Sequence, residues 1–171
     1  MNPYLFVLLL VSLLASTFAA ETKRFLYVAT PGIRNYLDYG GHGLLVYDMD
    51  KGHKFIKRIP TAGFDEKGKP RNVKGVCASV PLNRVFITTP KTMMAVDLTS
   101  EKVLWENEYP GGCDRMAMSP DGKTIYVPSF ESDHWNVVDA ESGDVIREIV
   151  TKSGAHNTIY GSSGKHVYMA G

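Results

Sequence analysis

The chain has little excess charge of either sign. Its 19 Lys and Arg residues nearly balance its 18 Asp and Glu residues. Proteins that bind nucleic acid or acidic membrane surfaces through electrostatics normally carry a basic face. The composition therefore predicts no nucleic-acid partner. The length of 171 residues suits one domain or part of one.

Several sequence patterns of known chemistry are missing. The chain has no Cys-x-x-Cys-His, Gly-x-Ser-x-Gly, Gly-x-x-x-x-Gly-Lys-Ser/Thr or His-Glu-x-x-His motif. Covalent haem attachment, serine hydrolysis and nucleotide hydrolysis are therefore not indicated. No stretch after the N-terminal segment has a convincing 3.6-residue apolar period, so helices are not expected there.

The first 20 residues carry no charged side chain, and the run from Leu5 to Leu14 is almost wholly aliphatic. Such a run followed by small residues is typical of a secretory signal peptide. We predict a signal peptide over residues 1–19 with cleavage after Ala19, or next after Ala20. A retained anchor is the alternative, and it would be the chain's one contact with a membrane. In both cases the folded part is exported, and the protein is periplasmic or secreted.

What the sequence does contain is a repeat. Four segments, RFLYVAT, RVFITTP, TIYVPS and HVYMAG, align on aromatic residues separated by 59, 40 and 42 positions. Three further segments align on an aspartate followed by a polar turn. Segments rich in Val, Ile, Tyr and Phe between turn formers indicate strands, and turns such as SPDGK and GSSGK place glycine where positive φ is needed. The aligned residues are Tyr27, Phe86, Tyr126 and Tyr168 in the first set and Asp48, Asp97 and Asp139 in the second.

Short links between consecutive strands require antiparallel neighbours. The repeat therefore predicts an all-β fold of four-stranded antiparallel meanders, about 40 residues each, which is typical of β-propeller blades. The phrase MSPDGKTIYVPSF followed by NVVDAESGDVIREI resembles the YVTN-type repeat of the quinoprotein-like β-propellers, which include the heavy chains of amine dehydrogenases. The resemblance covers Arg24 to Gly171. It implies the fold, whereas the function stays open because such propellers include enzymes, sensors and binding scaffolds.

About three and a quarter blades are predicted within a partial propeller over residues 20–171. With strands named A to D from the axis outward, blade 1 has strands B to D (24–60), and blades 2 (73–109) and 3 (113–150) are whole. Blade 4 has strands A and B (155–171). We expect a fragment of a longer propeller, seven-bladed by analogy with the family. The alternative is a complete protein that closes by self-association.

The links from strand D to the next strand A, and from B to C, open on one end of a propeller. The long links fall there, including the insertions at 31–43 and 61–72. Lys74, Asp114 and His156 take equivalent positions where three inner strands begin, followed by Gly75, Arg115 and Asn157. Polar groups at these entrances indicate either a solvated channel wall or a ligand site.

Neighbouring loops supply further candidates. Asp133, His134 and His156 suggest a metal or acid/base cluster, although a surface loop that contains histidine is the plainer interpretation. Trp135 is expected to pack against Tyr126 or Phe130, or else to offer an aromatic platform to a ligand. The repeated Asp48, Asp97 and Asp139 are expected to fix turns at the opposite end. The remaining loop candidates are Arg34, Asn35, Tyr36, His42 and Glu131.

Export permits disulfides, and the chain has two cysteines, Cys77 and Cys113. In the repeat they are staggered by about 13 Å along adjacent inner strands. A disulfide tolerates about 7 Å between Cα atoms, so two free thiols are predicted. Cys77 is expected in the core. Cys113 is expected to be the more exposed and to be reactive.

The sequence favours a binding or interaction scaffold whose loop-rich end takes a small molecule, a cell-wall component or a protein. The alternative is a quinoprotein-like or lactonase-like propeller enzyme, an oxidoreductase or a hydrolase, with its site in the funnel. Asp114 and His156 would then be acid/base or ligand groups, and Arg115 an anion clamp. The cofactor of such an enzyme is not indicated; the funnel residues would hold a substrate, a cofactor or a divalent metal. Lys74, Asn157, Arg34, His134 and Trp135 complete the predicted ligand-binding set.

Overall fold

The structure is a computed structural model, and it describes residues 22–30, 41–130 and 132–171. The predicted signal peptide and the loop candidates Arg34, Asn35, Tyr36 and Glu131 lie outside the described residues. Within them the only helical element is a 3-10 turn at Met49–Lys51, and the all-β prediction is confirmed. Thirteen strands are present: β1 (Phe25–Thr30), β2 (Gly43–Asp48), β3 (Lys54–Ile59), β4 (Gly75–Ser79), β5 (Arg84–Thr88), β6 (Thr92–Asp97), β7 (Val103–Glu108), β8 (Ala117–Met118), β9 (Thr124–Pro128), β10 (His134–Asp139), β11 (Val145–Val150), β12 (Asn157–Tyr160) and β13 (Val167–Ala170).

The strands form four antiparallel sheets in which each strand pairs with its neighbour in sequence. Sheet I has the order β1-β2-β3, sheet II β4-β5-β6-β7, sheet III β8-β9-β10-β11, and sheet IV β12-β13. Sheets II and III are the predicted four-stranded meanders, so the fold is that of an incomplete β-propeller. The inner strand of sheet III is short, with only two residues in its ladder with β9.

Two hydrophobic cores lie between successive sheets, because side chains alternate along each strand. In β5, Val85 and Ile87 join the core shared with sheet I, whereas Phe86 joins the core shared with sheet III. Both faces of this strand are therefore covered, and Val85, Phe86, Ile87 and Thr88 are all buried. The near-continuous apolar sequence of β5 and β6 follows from this two-sided burial.

The first three of the four aligned aromatic residues point towards the next sheet along the chain. Tyr27 packs on the core between sheets I and II, and Phe86 on the core between sheets II and III. The ring of Tyr126 meets that of Tyr160 in sheet IV at 5.8 Å between centroids. Tyr168 lies on the face of sheet IV turned away from sheet III and is 62 % exposed. The repeat thus fixes a direction of packing as well as a strand.

The turns at one end of the propeller are built as predicted. Asp48 accepts hydrogen bonds from the amides of Asp50 and Lys51, and Asp139 accepts them from Glu141 and Ser142. Asp97 accepts a hydrogen bond from the amide of Ser100 at 2.6 Å, and this bond is the main reason that the pKa of its carboxyl is lowered. The three carboxylates therefore act as turn acceptors. We call this side the turn end, and the opposite side the loop end.

Both cysteines are free thiols, as predicted. Their environments differ from the prediction: Cys113 is fully buried in the core between sheets II and III, whereas Cys77 is only half-buried at its edge. Burial raises the pKa of each thiol to about 12. The prediction of an exposed, reactive Cys113 is wrong, because the neighbouring Gly112 turns the chain inwards and Cys113 packs under the β5–β6 link, with Sγ 3.9 Å from the Lys91 carbonyl oxygen.

Over the described ranges, no helix is long and apolar enough to cross a membrane.

Candidate functional site

Three inner strands begin at the same level of the propeller. The amides of Lys74, Asp114 and His156 each donate to the last carbonyl of the second strand of their own sheet, at 2.8, 2.9 and 3.1 Å. The repeat had predicted this equivalence. Adjacent inner strands also touch, since the amide of Arg115 donates to the His156 carbonyl at 3.4 Å.

Asp114 and His156 are brought together by this contact between sheets III and IV. Nδ1 of His156 lies 3.5 Å from Oδ2 of Asp114, which is an ion-pair distance when the imidazole is protonated. The carboxylate is shielded, with a side chain 8 % exposed, whereas the imidazole is 61 % exposed. A buried carboxylate beside an exposed imidazole can orient the imidazole as a general base.

The other inner-strand candidates do not join this pair directly. The ammonium of Lys74 lies 4.0 Å from the centroid of the Phe130 ring, a cation–π contact between sheets II and III. Arg115 is exposed, and the side-chain oxygen of Asn157 accepts from the amide of Thr158 at 3.0 Å. Arg115 and Asn157 face each other as an isolated parallel bridge.

His134 is held in the protein interior. Its Nε2 lies 3.2 Å from the Pro110 carbonyl oxygen, so this nitrogen carries a proton and donates. Its Nδ1 lies 3.1 Å from the Ser132 hydroxyl and 3.4 Å from Oε1 of Glu148. The ring of His134 therefore joins the β7–β8 link, through Pro110, to Ser132 of the β9–β10 link.

The predicted cluster of Asp133, His134 and His156 is not formed. Asp133 Oδ1 is 4.0 Å from the His134 ring, but His156 pairs with Asp114 instead. Among the described residues, no three His, Cys, Asp or Glu side chains are arranged to hold a metal ion.

Trp135 is 1 % exposed, and its indole N–H donates to the Thr158 hydroxyl at 2.9 Å. The register of β9 and β10 places Tyr126 on the same face of sheet III as Trp135, and the Tyr126 ring also meets Tyr160 edge-on. The alternation of β10 turns Trp135 towards sheet IV. This side chain is therefore an inter-sheet contact and offers no open platform.

His42 is the described candidate from the first insertion. Its ring packs against Phe64 with 4.5 Å between centroids. Burial is the main reason that the pKa of His42 is lowered, which favours the neutral imidazole. The contact joins the two insertions of sheet I at the loop end.

Two adjoining cavities open on the loop end and share Phe130 and Ser132 as a partition. The first has a volume of about 570 Å³ and lies between sheets II and III. The second, of about 500 Å³, lies between the β9–β10 and β11–β12 links and includes His156. A smaller cavity of about 240 Å³ continues from the first. The first cavity is lined by Arg71, Pro90, Lys91, Glu108, Tyr109, Gly111, Gly112, Phe130 and Ser132.

The cavities open at the end of the propeller that the sequence favoured for a site, but few of the predicted residues line them. Of the predicted candidates, His156 and Asp133 line a cavity, and Asp114 stands behind His156. Arg71 and Lys152 lie in links that had been singled out, whereas Lys91 lies in the short β5–β6 link, which had not. A lysine in a short link does not by itself predict a ligand site, because most lysines lie on the protein surface.

No protein-family model and no curated protein sequence matches the chain. Among solved structures it is similar to hydrazine synthase of Kuenenia stuttgartiensis, with a TM-score of 0.62 and 17 % sequence identity. The match covers 75 % of this chain and 36 % of that one, so the chain spans about a third of the length of its structural neighbour. At this identity the likeness shows the fold alone, which is β-propeller-like.

Proposed function

We propose that the protein is an exported β-propeller of YVTN-type repeats that acts as a binding scaffold through its loop end. The observation that carries this proposal is the position of the cavities. All three are lined by links between strands at the loop end, while the opposite turns satisfy their own amides with aspartate side chains. Concave, partly apolar surfaces with a few polar groups are the usual form of a ligand site.

A mapping experiment tests this proposal. A fragment library is titrated into the isotopically labelled full-length chain, and amide chemical shifts are followed by NMR. We expect saturable shifts at Gly111, Gly112 and Ala155, which line the cavities, and none at Gly52 or Gly122 of the turn end. Shifts confined to the turn end or to the outer strands would refute the proposal.

A second candidate function, catalysis, rests on the Asp114–His156 pair. A shielded carboxylate 3.5 Å from an imidazole that lines a cavity supports a general base acting on a bound substrate. The variants Asp114→Asn and His156→Gln are assayed with panels of activated esters and phosphate esters. Turnover that falls in both variants and follows the titration of an imidazole would support catalysis. Equal turnover in both variants and the parent chain would exclude this role for the pair.

A further inference from the structure

Two cations at the loop end line the same cavities. At the turn end three inter-residue ion pairs are formed, Arg24–Asp50, Lys51–Asp48 and Lys57–Glu101. At the loop end Arg71 and Lys91 line the same cavities, and no carboxylate of the described residues lies within 4.0 Å of either charge. Neither cation therefore forms an ion pair within the described residues, although the charge of Arg71 contributes to the lowered pKa of Asp65.

Arg71 and Lys91 are positioned by their links. Nε of Arg71 donates to the Phe64 carbonyl at 3.1 Å, which ties the guanidinium to the bridged Phe64–Pro70 loop. Lys91 sits in a tight β5–β6 turn, where the Thr89 hydroxyl accepts from the amides of Lys91 and Thr92 at 3.3 and 3.0 Å. The two cations come from different sheets and border one cavity.

One acidic residue lines the larger cavity with the two cations, and two acidic residues, Asp65 and Glu66, line the smaller one. Both Lys67 and Lys69 donate their amides to Oδ1 of Asp65, at 2.9 and 2.8 Å, so this carboxylate is engaged in its own loop. Hydrogen bonds from this loop lower the pKa of Asp65, with the Lys69 amide the largest cause. Glu66 lines only the smaller cavity, and Glu108 is the one acidic residue that lines the larger cavity.

The remaining wall of the cavity is aromatic. Phe130 contributes a ring whose π-system also meets the Lys74 ammonium at 4.0 Å. The Tyr109 hydroxyl donates to the Gly143 carbonyl at 2.6 Å, so this side chain is anchored in the core. A cavity with a cationic side and an aromatic side suits a ligand that is charged at one end and apolar at the other.

We infer that the cavity between sheets II and III binds a small oxyanion, a carboxylate or a phosphate, attached to an aromatic or apolar group. This inference rests on the proposed binding function and names its ligand class. Arg71 and Lys91 contact the oxyanion, and Phe130 contacts the apolar part. Guanidinium and ammonium groups bind oxyanions through charge-assisted hydrogen bonds, which are stronger than neutral ones.

Three probes of similar shape separate the contribution of the anionic group from that of the phenyl ring. Benzoate, phenyl phosphate and the neutral benzamide are titrated into the labelled full-length chain at low ionic strength, and the amides of Gly111 and Gly112 are followed. We expect at least one of the anions to bind about tenfold more tightly than benzamide, and the binding to weaken as salt is added. Preference for benzoate or for phenyl phosphate identifies the carboxylate or the phosphate as the preferred group.

Matched variants assign the effect to residues. Arg71→Gln and Lys91→Gln each remove one charge and are expected to weaken anion binding about tenfold, the loss of one charge-assisted hydrogen bond. Lys102→Gln removes the same charge from an exposed side chain at the turn end and is expected to leave binding unchanged. Unchanged urea midpoints of all three variants confirm that each is folded.

Three different results would each contradict a different part of this inference. If neither benzoate nor phenyl phosphate binds more tightly than benzamide, or if Arg71→Gln and Lys91→Gln bind the anions fully, the oxyanion class is overturned but binding at the loop end stands. Absence of any probe-induced shift at Gly111 and Gly112, together with fragment shifts at Ala155, overturns this cavity as the site. Fragment shifts away from the loop end overturn the inference and the proposed function together.

Discussion

Phe86 and Tyr168 occupy the same position of the repeat, yet only one of them is covered by a following sheet. Phe86 is 0 % exposed in the core between sheets II and III, whereas Tyr168 is 62 % exposed on sheet IV. Substitutions at the two positions therefore compare the same strand position with and without inter-sheet packing.

The expected magnitudes differ severalfold. Removing a fully buried phenyl ring costs about 3–5 kcal/mol, because its transfer free energy is lost and a cavity remains. Tyr168→Ala loses mainly a cross-strand contact with Ile159, and such contacts contribute about 0.2–1 kcal/mol. Since a whole domain is stable by only about 5–15 kcal/mol, Phe86→Ala alone threatens folding. Milder substitutions should lower the free energy of unfolding less. We expect about 1 kcal/mol for Phe86→Leu and less than about 0.5 kcal/mol for Tyr168→Leu.

Urea unfolding of the four variants, followed by far-UV circular dichroism, measures these differences. The midpoint should fall in proportion to the lost free energy while the slope of free energy against urea stays constant. A cost for Tyr168→Ala as large as that for Phe86→Ala would show that the exposed ring is in fact covered. A cost for Phe86→Ala below about 1 kcal/mol would show that sheets II and III do not pack through this side chain.

Three further predictions concern thiols, acid stability and glycine. Because burial raises the pKa of both thiols to about 12, Cys113 should resist a thiol reagent at about pH 8 in the folded chain and react once urea unfolds it; prompt labelling of folded protein would contradict this. Asp97 has a lowered pKa, so the stability it contributes is complete above its unfolded pKa of about 4 and is lost as pH falls through the folded value. Asp97→Asn should therefore flatten the decline of the urea midpoint between about pH 5 and pH 2, and an unchanged decline would assign acid sensitivity elsewhere. Gly112→Ala should cost more than Gly52→Ala, since both have positive φ but only the Cβ at Gly112 would lie 2.1 Å from a backbone oxygen, that of Pro90; equal thermal midpoints would contradict the close approach.

The strands and their order could be predicted because the same pattern of strands and turns occurs several times in the sequence. Each sheet has one aromatic strand, and sheets I, II and III each have one Asp-turn, so an ambiguous segment is decided by its equivalents in the other sheets. The turn glycines were predictable for the same reason, and Gly122 and Gly164 have the expected positive φ. Periodicity was informative here because side-chain alternation determines which face a residue buries.

The depth of individual side chains could not be predicted in the same way. Cys113 follows two glycines at a predicted loop entrance, which suggested exposure, but positive φ at Gly111 and Gly112 folds that link back over the core. The hydrogen bond of Trp135 to Thr158 was not predicted for a related reason. Thr158 is on the next sheet, and contacts between sheets depend on the packing geometry rather than on the repeat alone.

The candidate site likewise contains residues whose proximity the repeat predicts and residues whose proximity it does not. Asp114 and His156 meet because equivalent positions on adjacent inner strands are neighbours, and the alignment contains that information. Arg71 and Lys91 share a cavity because two links of different length and type converge, and no alignment of the repeats contains that.

The sheets of this one chain are alike at the turn end and differ at the loop end. At the turn end the same residue type, an aspartate, performs the same task in Asp48, Asp97 and Asp139, and each turn satisfies its own amides. At the loop end the equivalent entrance positions hold a cation, a carboxylate and an imidazole, in Lys74, Asp114 and His156. Aspartate is well suited to accept the backbone amides of a tight turn, so the same residue recurs where a position has only to close a hairpin. Because the entrance positions carry no shared structural task, their chemistry is free to differ from sheet to sheet, which is the condition for building an asymmetric ligand site on a symmetric scaffold.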